Sequence, residues 1–351
     1  MRELCDNYSG GNIMFIPEYT ITNKILQNIA SIEYVKALAD HSVILTSLEN
    51  RQKKVAEVDF IRANLNLEGI KIGNEELNKY VDGIVPLPAG IIQGIKKSLD
   101  SIQNDTLSGE INEGDILEIF AQLSGYEEFQ KQNISMYREK IFQKQTENLK
   151  NEKVHPEEIL SQMTELIDWT NSLDAKETHP LIKVAIIKGR IIELEPFRLY
   201  NEIMGNLVSH KVLNHCKYNL KGLSHLEMAY TTDLWGYKKA LETISIEKDM
   251  TSWIDFYTEA MATKAGRKKE DILLLAKDTK ISQASGDANL TERQNRIVEY
   301  LQDYGKIQNQ DFSKIFPDIS EDSVLRDLKV LIEEGVVVKR GKTKSSRYEL
   351  R

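Results

Sequence analysis

The sequence predicts a mostly α-helical protein that ends in a small α/β domain. Apolar residues recur every three or four positions through most of the chain, which is typical of amphipathic helices. Few stretches before residue 336 alternate with the period of two that half-buried strands show. A new compositional unit begins at Leu290, after a stretch that contains Ser and Gly.

Composition and charge exclude several classes of protein. The chain has 351 residues, 41% hydrophobic and 28% charged, which is typical of a globular protein with two or three domains of roughly 100–200 residues. No apolar run approaches the roughly 20 residues of a membrane helix, and no signal-peptide pattern is present, so we expect no membrane partner. With only Cys5 and Cys216, a reducing cytoplasm fits best. The net charge of −8 argues against attraction of nucleic acid by the whole surface.

The elements follow from the apolar spacing in chain order. Residues 1–13 are polar and are expected to form a flexible leader. Ile25, Ile29 and Ile32 share one face of the first helix, and Asn112 is the expected N-cap of a later one. The stretch 126–154 is weakly patterned and predicts a loop or small flap. Predicted helices cover residues 22–36, 48–65, 74–80, 90–102, 112–123, 156–173, 180–194, 201–216, 223–244 and 251–265.

These elements predict five parts of the chain. After the leader come an N-terminal helical region over 14–110, a helical core over 111–265 and a linker over 266–289. The helix over 180–194 is nearly all apolar, although Lys183, Lys188 and Arg190 interrupt it, so we expect it in the centre of the core. The last part, 290–351, is the small α/β domain.

The C-terminal part has the order of elements of a known DNA-binding module. Predicted are a helix that Thr291 caps and Gly305 ends, a short helix over 309–315, a third helix that Ser320 caps and Gly335 ends, and strands over 336–339 and 348–350. Three helices followed by a two-stranded wing with a basic tip resemble the winged helix-turn-helix family. The resemblance implies that the third helix enters the major groove of DNA.

The resemblance also implies which side chains contact DNA. Ser323 and Arg326 of the third helix would reach the bases, and basic residues of the wing would neutralise phosphates: Lys339, Arg340, Lys342, Lys344 and Arg347. Glu321 and Asp322 at the helix start, and the nearly neutral charge of the domain, weaken this prediction. The alternative is a winged helix that serves protein contacts or dimerisation.

The central stretch from His179-Pro-Leu to Glu195-Pro-Phe resembles the Fic (Fido) family. In that family a helix opened by His-Pro-Leu leads into a loop with the pattern His-Pro-Phe-x-(Asp/Glu)-Gly-Asn-Gly-Arg-x-x-Arg. Tyr137-Arg138 resembles the family's flap, and Trp235-Gly-Tyr resembles a helix that follows the motif. The resemblance covers residues 15–262 in order and implies a Fic-like helical domain in front of the winged helix.

Family members mostly transfer AMP from ATP to a protein hydroxyl, and most of the residues for this chemistry are replaced here. The resemblance places Glu195 at the histidine base and Leu199 at the metal-binding carboxylate. The two glycines become Tyr200 and Glu202, and the two arginines become Ile203 and Asn206. Pro196, Phe197 and Asn201 are retained.

These replacements predict a pseudoenzyme. Loss of a positioned base typically costs about 100- to 10,000-fold in rate. Glu202 places a negative charge at a helix start that would otherwise attract phosphate. We therefore expect no cofactor, with ATP and Mg²⁺ bound only if the altered site still works. The alternative is residual or altered AMP transfer with Glu195 as the base and Asn201 at the nucleotide.

The family's inhibitory helix, with the pattern Ser/Thr-x-x-x-Glu-Gly/Asn, aligns with Asn64 to Gly69. Glu68 and Gly69 are kept, but the arginine that would pair with Glu68 has become Asn206, so the family's ion pair cannot form. The simpler interpretation is a helix that ends at Gly69. His210 and His215 lie five residues apart and share no helix face, so the sequence predicts no metal site there.

The sequence leaves three functions open. The first is a Fic-fold pseudoenzyme that regulates through DNA or protein contacts of its winged helix. The second is a transferase with altered chemistry, and the third is a dimerisation scaffold or homodimer in which the Fic helices bury a partner surface.

Overall fold

The computed structural model describes residues 15–85, 90–104, 110–125, 136–139, 154–285, 290–317, 319–341 and 346–351. The described chain is mostly helical with a small C-terminal sheet, which confirms the predicted fold class. It forms two compact units. The first comprises residues 1–37 and 56–268, and the second comprises residues 38–55 and 269–351. Within the described residues, no helix is long and apolar enough to cross a membrane.

The helices before the C-terminal elements are α1 (Asn23–His41), α2 (Thr46–Leu67), α3 (Asn74–Val81), α4 (Ile91–Asn104), α5 (Glu113–Ser124), α6 (Pro156–Asn171), α7 (Leu173–Glu177), α8 (Pro180–Leu194), α9 (Asn201–His215), α10 (Leu234–Glu247) and α11 (Thr251–Ser285). Two 3₁₀ turns, Leu220–Gly222 and Leu226–Thr232, lie between α9 and α10. Asn112 caps α5 with a capping box, as the sequence predicts.

The hairpin of α8 and α9 forms the centre of the first unit. Helix α8 is buried along almost its whole length, which explains its apolar composition. Trp253 of α11 donates from Nε1 to the carbonyl of Ala185 at 2.6 Å and packs over Gly189. A Cβ at Gly189 would lie 2.6 Å from that Nε1, so the close approach of the two helices requires glycine. The motif loop that joins α8 to α9 is therefore held by a rigid core.

The second unit contains α12 (Glu292–Tyr304), a 3₁₀ turn (Asn309–Asp311), α13 (Phe312–Ile315), α14 (Glu321–Glu333), β1 (Val337–Arg340) and β2 (Arg347–Leu350). The strands are antiparallel, with Val337 opposite Leu350. Thr291 caps α12 with a capping box, and Gly305 ends the helix in the left-handed conformation. Apolar residues of all these helices and of both strands form one core. The arrangement is consistent with a winged helix.

Four details differ from the sequence-based expectations. The predicted helix over 223–244 is broken, because Gly222 (φ +79°) ends one turn and Asp233 caps α10 by accepting from the Gly236 N–H. The predicted linker over 266–289 is helical through Ser285, where Ile272 and Leu275 continue the buried face. Residues 38–55 belong to the second unit. The side chain of Ser320 contacts the Ser323 hydroxyl at 3.0 Å and does not cap the backbone.

The leader over 1–13 and most of the flap lie outside the described residues.

Candidate functional site

The motif loop begins and ends with non-glycine residues in the left-handed conformation. Glu195 (φ 42°) ends α8, and Tyr200 (φ 63°) stands directly before α9. Only glycine adopts this conformation without strain, and a residue with a Cβ pays about 1–2 kcal/mol. The resemblance to the Fic pattern leads us to expect a glycine at the position of Tyr200. The loop therefore begins and ends in a conformation that favours glycine, although neither position holds one.

Asn201 closes this loop from its C-terminal end. Its Oδ1 accepts from the Phe197 N–H at 2.9 Å, and its Nδ2 donates to the Phe197 carbonyl at 2.9 Å. Both ends of the amide are therefore engaged by the backbone of one residue. The sequence predicts Asn201 as a nucleotide contact, and the structure places it as a clamp on the loop.

A short segment of the flap pairs with the other side of the loop. Tyr137 forms an isolated antiparallel bridge with Phe197, and the Arg138 N–H donates to the Pro196 carbonyl at 2.9 Å. The Arg138 side chain is buried and donates to the carbonyls of Glu195 at 2.8 Å and Val154 at 2.7 Å. Burial lowers the pKa of Arg138, and the nearby Glu195 carboxylate opposes this shift. Arg138 thereby holds Glu195 through its backbone.

A buried ion pair lies behind the loop. Lys188 of α8 is fully buried, and its Nζ contacts the Glu202 carboxylate at 3.0 Å and the Asn206 Oδ1 at 2.9 Å. Tyr237 donates its hydroxyl to both carboxylate oxygens of Glu202, at 3.0 and 2.8 Å, and Tyr230 donates to Asn206 at 3.0 Å. Every strong hydrogen-bonding group of this network therefore has a partner.

The charges in this network are set by opposing effects. Burial alone would raise the pKa of Glu202, but the Lys188 ammonium and the tyrosine hydroxyls outweigh it and lower that pKa. Burial lowers the pKa of Lys188, and the Glu202 carboxylate counteracts the shift. Gly205 leaves the room for the ammonium, since a Cβ there would lie 3.0 Å from the Lys188 Nζ. The first turn of α9 thus carries a carboxylate whose counter-ion comes from the same chain.

Asn206, which the resemblance places at the second arginine of the pattern, reaches helix α2. Asn206 donates from Nδ2 to the Oδ1 of Asn64 on α2 at 2.8 Å, and both side chains are buried. Glu68 is exposed beyond the end of α2, and Gly69 (φ +75°) follows it in the left-handed conformation. The structure therefore joins Asn206 to Asn64 and leaves Glu68 at the surface.

A cavity of about 420 Å³ in this unit lies away from the motif loop. The first turn of α8 lines it with Pro180 and Lys183, and the end of α9 lines it with Asn214 and His215. Glu195 lies at the opposite end of the same hairpin. The cavity is therefore separate from the residues of the Fic motif.

The predicted DNA-contacting residues lie on the surface of the second unit where they are described. Arg326, Lys339, Arg340 and Arg347 are exposed, and Ser323 is partly exposed. Glu349 pairs with both Arg340, at 2.9 Å, and Arg347, at 2.6 Å. Lys342 and Lys344 lie outside the described residues. Two of the wing cations thus already have a carboxylate partner within the sheet.

Sequence reasoning did not predict that Lys188 is fully buried and paired with Glu202. Lys188 interrupts an apolar helix, and Glu202 opens the next one, so a lysine and a glutamate stand in a hairpin of two core helices. That combination is the signal that predicts a buried pair. Reasoning from single helices also separated His225 from His210, although the structure brings both to Glu227.

The fold is similar to that of several solved structures. A Fic family protein from Desulfovibrio desulfuricans G20 matches with a TM-score of 0.62 and 18% identity, over 96% of this chain and 98% of that chain. A Fic domain containing signaling protein from Bacteroides thetaiotaomicron matches with a TM-score of 0.53 and 16% identity, over 73% and 98%. Fic-1 from C. elegans matches with 0.52 and 15%, over 70% and 71%. No protein-family model matches the sequence, and no curated protein matches it. The chain therefore has the fold of Fic family proteins.

Proposed function

We propose that this chain is a Fic-fold pseudoenzyme, and that it acts as a regulatory DNA-binding protein through its C-terminal unit. The buried pair of Lys188 and Glu202 carries the first half of the proposal. The exposed cations of α14 and the wing support the second half.

The argument against AMP transfer rests on charge. A helix N-terminus favours an anion, and Fic-type chemistry needs the phosphates of ATP at the start of this helix. In this chain Glu202 supplies a carboxylate in that turn, and Lys188 and Tyr237 hold it. A phosphate brought to the same turn would face a like charge. Leu199, at the position of the metal-binding carboxylate, offers no oxygen to Mg²⁺, so these residues do not fit the metal–nucleotide complex.

The argument for DNA binding rests on the surface of the second unit. The core residues of α14 face inward, and Arg326 points to the opposite, exposed side. Lys339 is exposed and lies over the Tyr348 ring, with its Nζ 5.7 Å from the ring centroid. Cations that project from one helix and one strand suit simultaneous contact with bases and phosphates. The acidic first turn of the same helix, with Glu321 and Asp322, limits the contact to the side that carries Arg326.

Calorimetric titration of the full chain with ATP and Mg²⁺ tests the first half. We expect no heat of binding at millimolar nucleotide. An AMP transfer assay with labelled ATP, including self-modification, provides the second readout. Incorporated label that disappears in Glu195→Ala would contradict the proposal and establish a transferase with Glu195 as its base.

Selection of bound sequences from random DNA duplexes at moderate salt tests the second half. We expect a retained sequence, and Arg326→Ala should weaken its binding by about 1–3 kcal/mol. Lys24→Ala removes an equal charge from an exposed site in the first unit and is the matched control. Failure to retain any duplex, together with no effect of Arg326→Ala, would assign the C-terminal unit to protein contacts instead.

A further inference from the structure

Three chemistry-bearing side chains meet in the core of the first unit, away from the motif loop. His210 lies on α9, and His225 and Glu227 lie at the 3₁₀ turn Leu226–Thr232. All three are buried, with at most 4% of their surface exposed. The Glu227 Oε1 lies 2.9 Å from the His210 Nδ1 and 3.1 Å from the His225 Nδ1. One ligand atom from each residue lies within 4.8 Å of the others.

Hydrogen bonding accounts for only part of this cluster. The His225 Nδ1 is aligned for a hydrogen bond to Glu227, but neither ring nitrogen of His210 makes a hydrogen bond within the described residues. The His210 Nδ1 is close to the carboxylate oxygen without being directed at it. Two ligand atoms of one ion lie about 3.3 Å apart when bonds of about 2.0–2.1 Å meet at tetrahedral angles. Both contacts to the Glu227 Oε1 are close to this distance, whereas the 4.8 Å limit for the whole set exceeds it, so an ion would draw the ligands together.

We propose that His210, His225 and Glu227 bind a divalent transition-metal ion such as zinc, which fixes the 3₁₀ turn to α9. Two imidazoles and one carboxylate suit zinc and similar borderline metals, whereas Mg²⁺ and Ca²⁺ prefer sets made of oxygen alone. The proposal does not depend on the proposed function, since none of the three residues belongs to the Fic motif or to the C-terminal unit.

Two neighbouring side chains contact the backbone of this cluster and not its ligand atoms. Lys264 donates to the carbonyl of His225 at 2.6 Å. The Tyr257 hydroxyl donates to the Glu227 carbonyl at 3.0 Å and leaves the carboxylate to the imidazoles.

The metal content of the untagged full chain tests the proposal. After dialysis against buffer without chelator, elemental mass spectrometry should find about one zinc ion per chain. Removal of zinc with EDTA should lower the midpoint of thermal unfolding, and added Zn²⁺ should restore it. Co²⁺ added to the EDTA-treated protein should give visible absorption bands of a low-symmetry site.

Variants test whether these residues bind the ion. His225→Gln and Glu227→Gln should abolish retention of zinc and the response of the midpoint to Zn²⁺, whereas His215→Gln, at an exposed histidine of the same helix, should keep both. Absence of retained zinc in the unmodified chain, together with an unchanged midpoint on addition of Zn²⁺, would overturn the proposal even if the variants do not fold. Equal loss in His215→Gln would overturn it as well.

Discussion

Glu202→Gln should destabilise the protein strongly, because it leaves the Lys188 ammonium buried without a counter-charge. Removal of one partner of a buried pair typically costs about 3–5 kcal/mol. The loss has an upper limit, because Lys188 can release its proton rather than remain charged in the core. Deprotonation of a lysine with an ordinary pKa of 10.5 costs about 5 kcal/mol at pH 7. The expected loss of 3–5 kcal/mol is a large share of a typical total of about 5–15 kcal/mol.

The same reasoning gives the loss a pH dependence. As the pH rises, the folded variant releases the proton of Lys188 while the unfolded state still binds it, so the stability of the variant then rises with pH. Once Lys188 is neutral in the folded variant, the deficit relative to the unmodified protein should shrink by about 1.4 kcal/mol per pH unit towards pH 10. Urea unfolding at pH 7, 8 and 9 measures the difference in unfolding free energy between the variant and the unmodified protein. Glu242→Gln, which changes the same residue type at an exposed position of α10, is the control.

A double variant tests whether the unpaired charge of Lys188 causes the loss of stability. Glu202→Gln combined with Lys188→Met removes both ions and should recover most of the stability that Glu202→Gln alone loses. A deficit below about 0.5 kcal/mol for Glu202→Gln, or a deficit that does not change between pH 7 and 9, would refute the assignment of a charged Lys188 to the core.

Three further outcomes are expected. Asn201→Ala leaves the N–H and carbonyl of Phe197 without partners, so urea unfolding should show a loss of about 1–3 kcal/mol. Gly189→Ala forces a methyl group against Trp253 and should cost about 1–3 kcal/mol through overpacking, with a changed tryptophan emission. Because the pKa of Glu202 lies below its ordinary value of 4.5 in the fold, stability should fall as the pH drops below about 5, and Glu202→Gln should flatten this decline.

Local signals predicted the elements well. Asn112 and Thr291 are followed three residues later by side chains that can complete a capping box, and both boxes are present. The helix over 180–194 has the predicted bounds, because Pro180 starts it and the left-handed Glu195 ends it. These features depend on residues close in sequence, where propensity and capping decide the conformation.

Contacts distant in sequence could not be predicted in the same way. The environment of Lys188 depends on Tyr230 and Tyr237, which come from elements of their own after α9. The pairing of Asn206 with Asn64 joins residues 142 positions apart. Single-helix periodicity identifies a buried face but not the side chains that it meets, so the partners of polar core residues emerge only from the packed structure.

The composition of the second unit has a consequence for how the chain can be divided. Ser47 donates to the Gln302 side chain at 2.7 Å, and the Leu45 N–H donates to Thr279 at 3.0 Å, so residues from near the N-terminus complete a unit made otherwise from the last quarter of the chain. A fragment that starts at Leu290 lacks these neighbours. During synthesis, residues 38–55 must wait for the final segment before they find their native contacts, and a single proteolytic cut cannot release the unit whole.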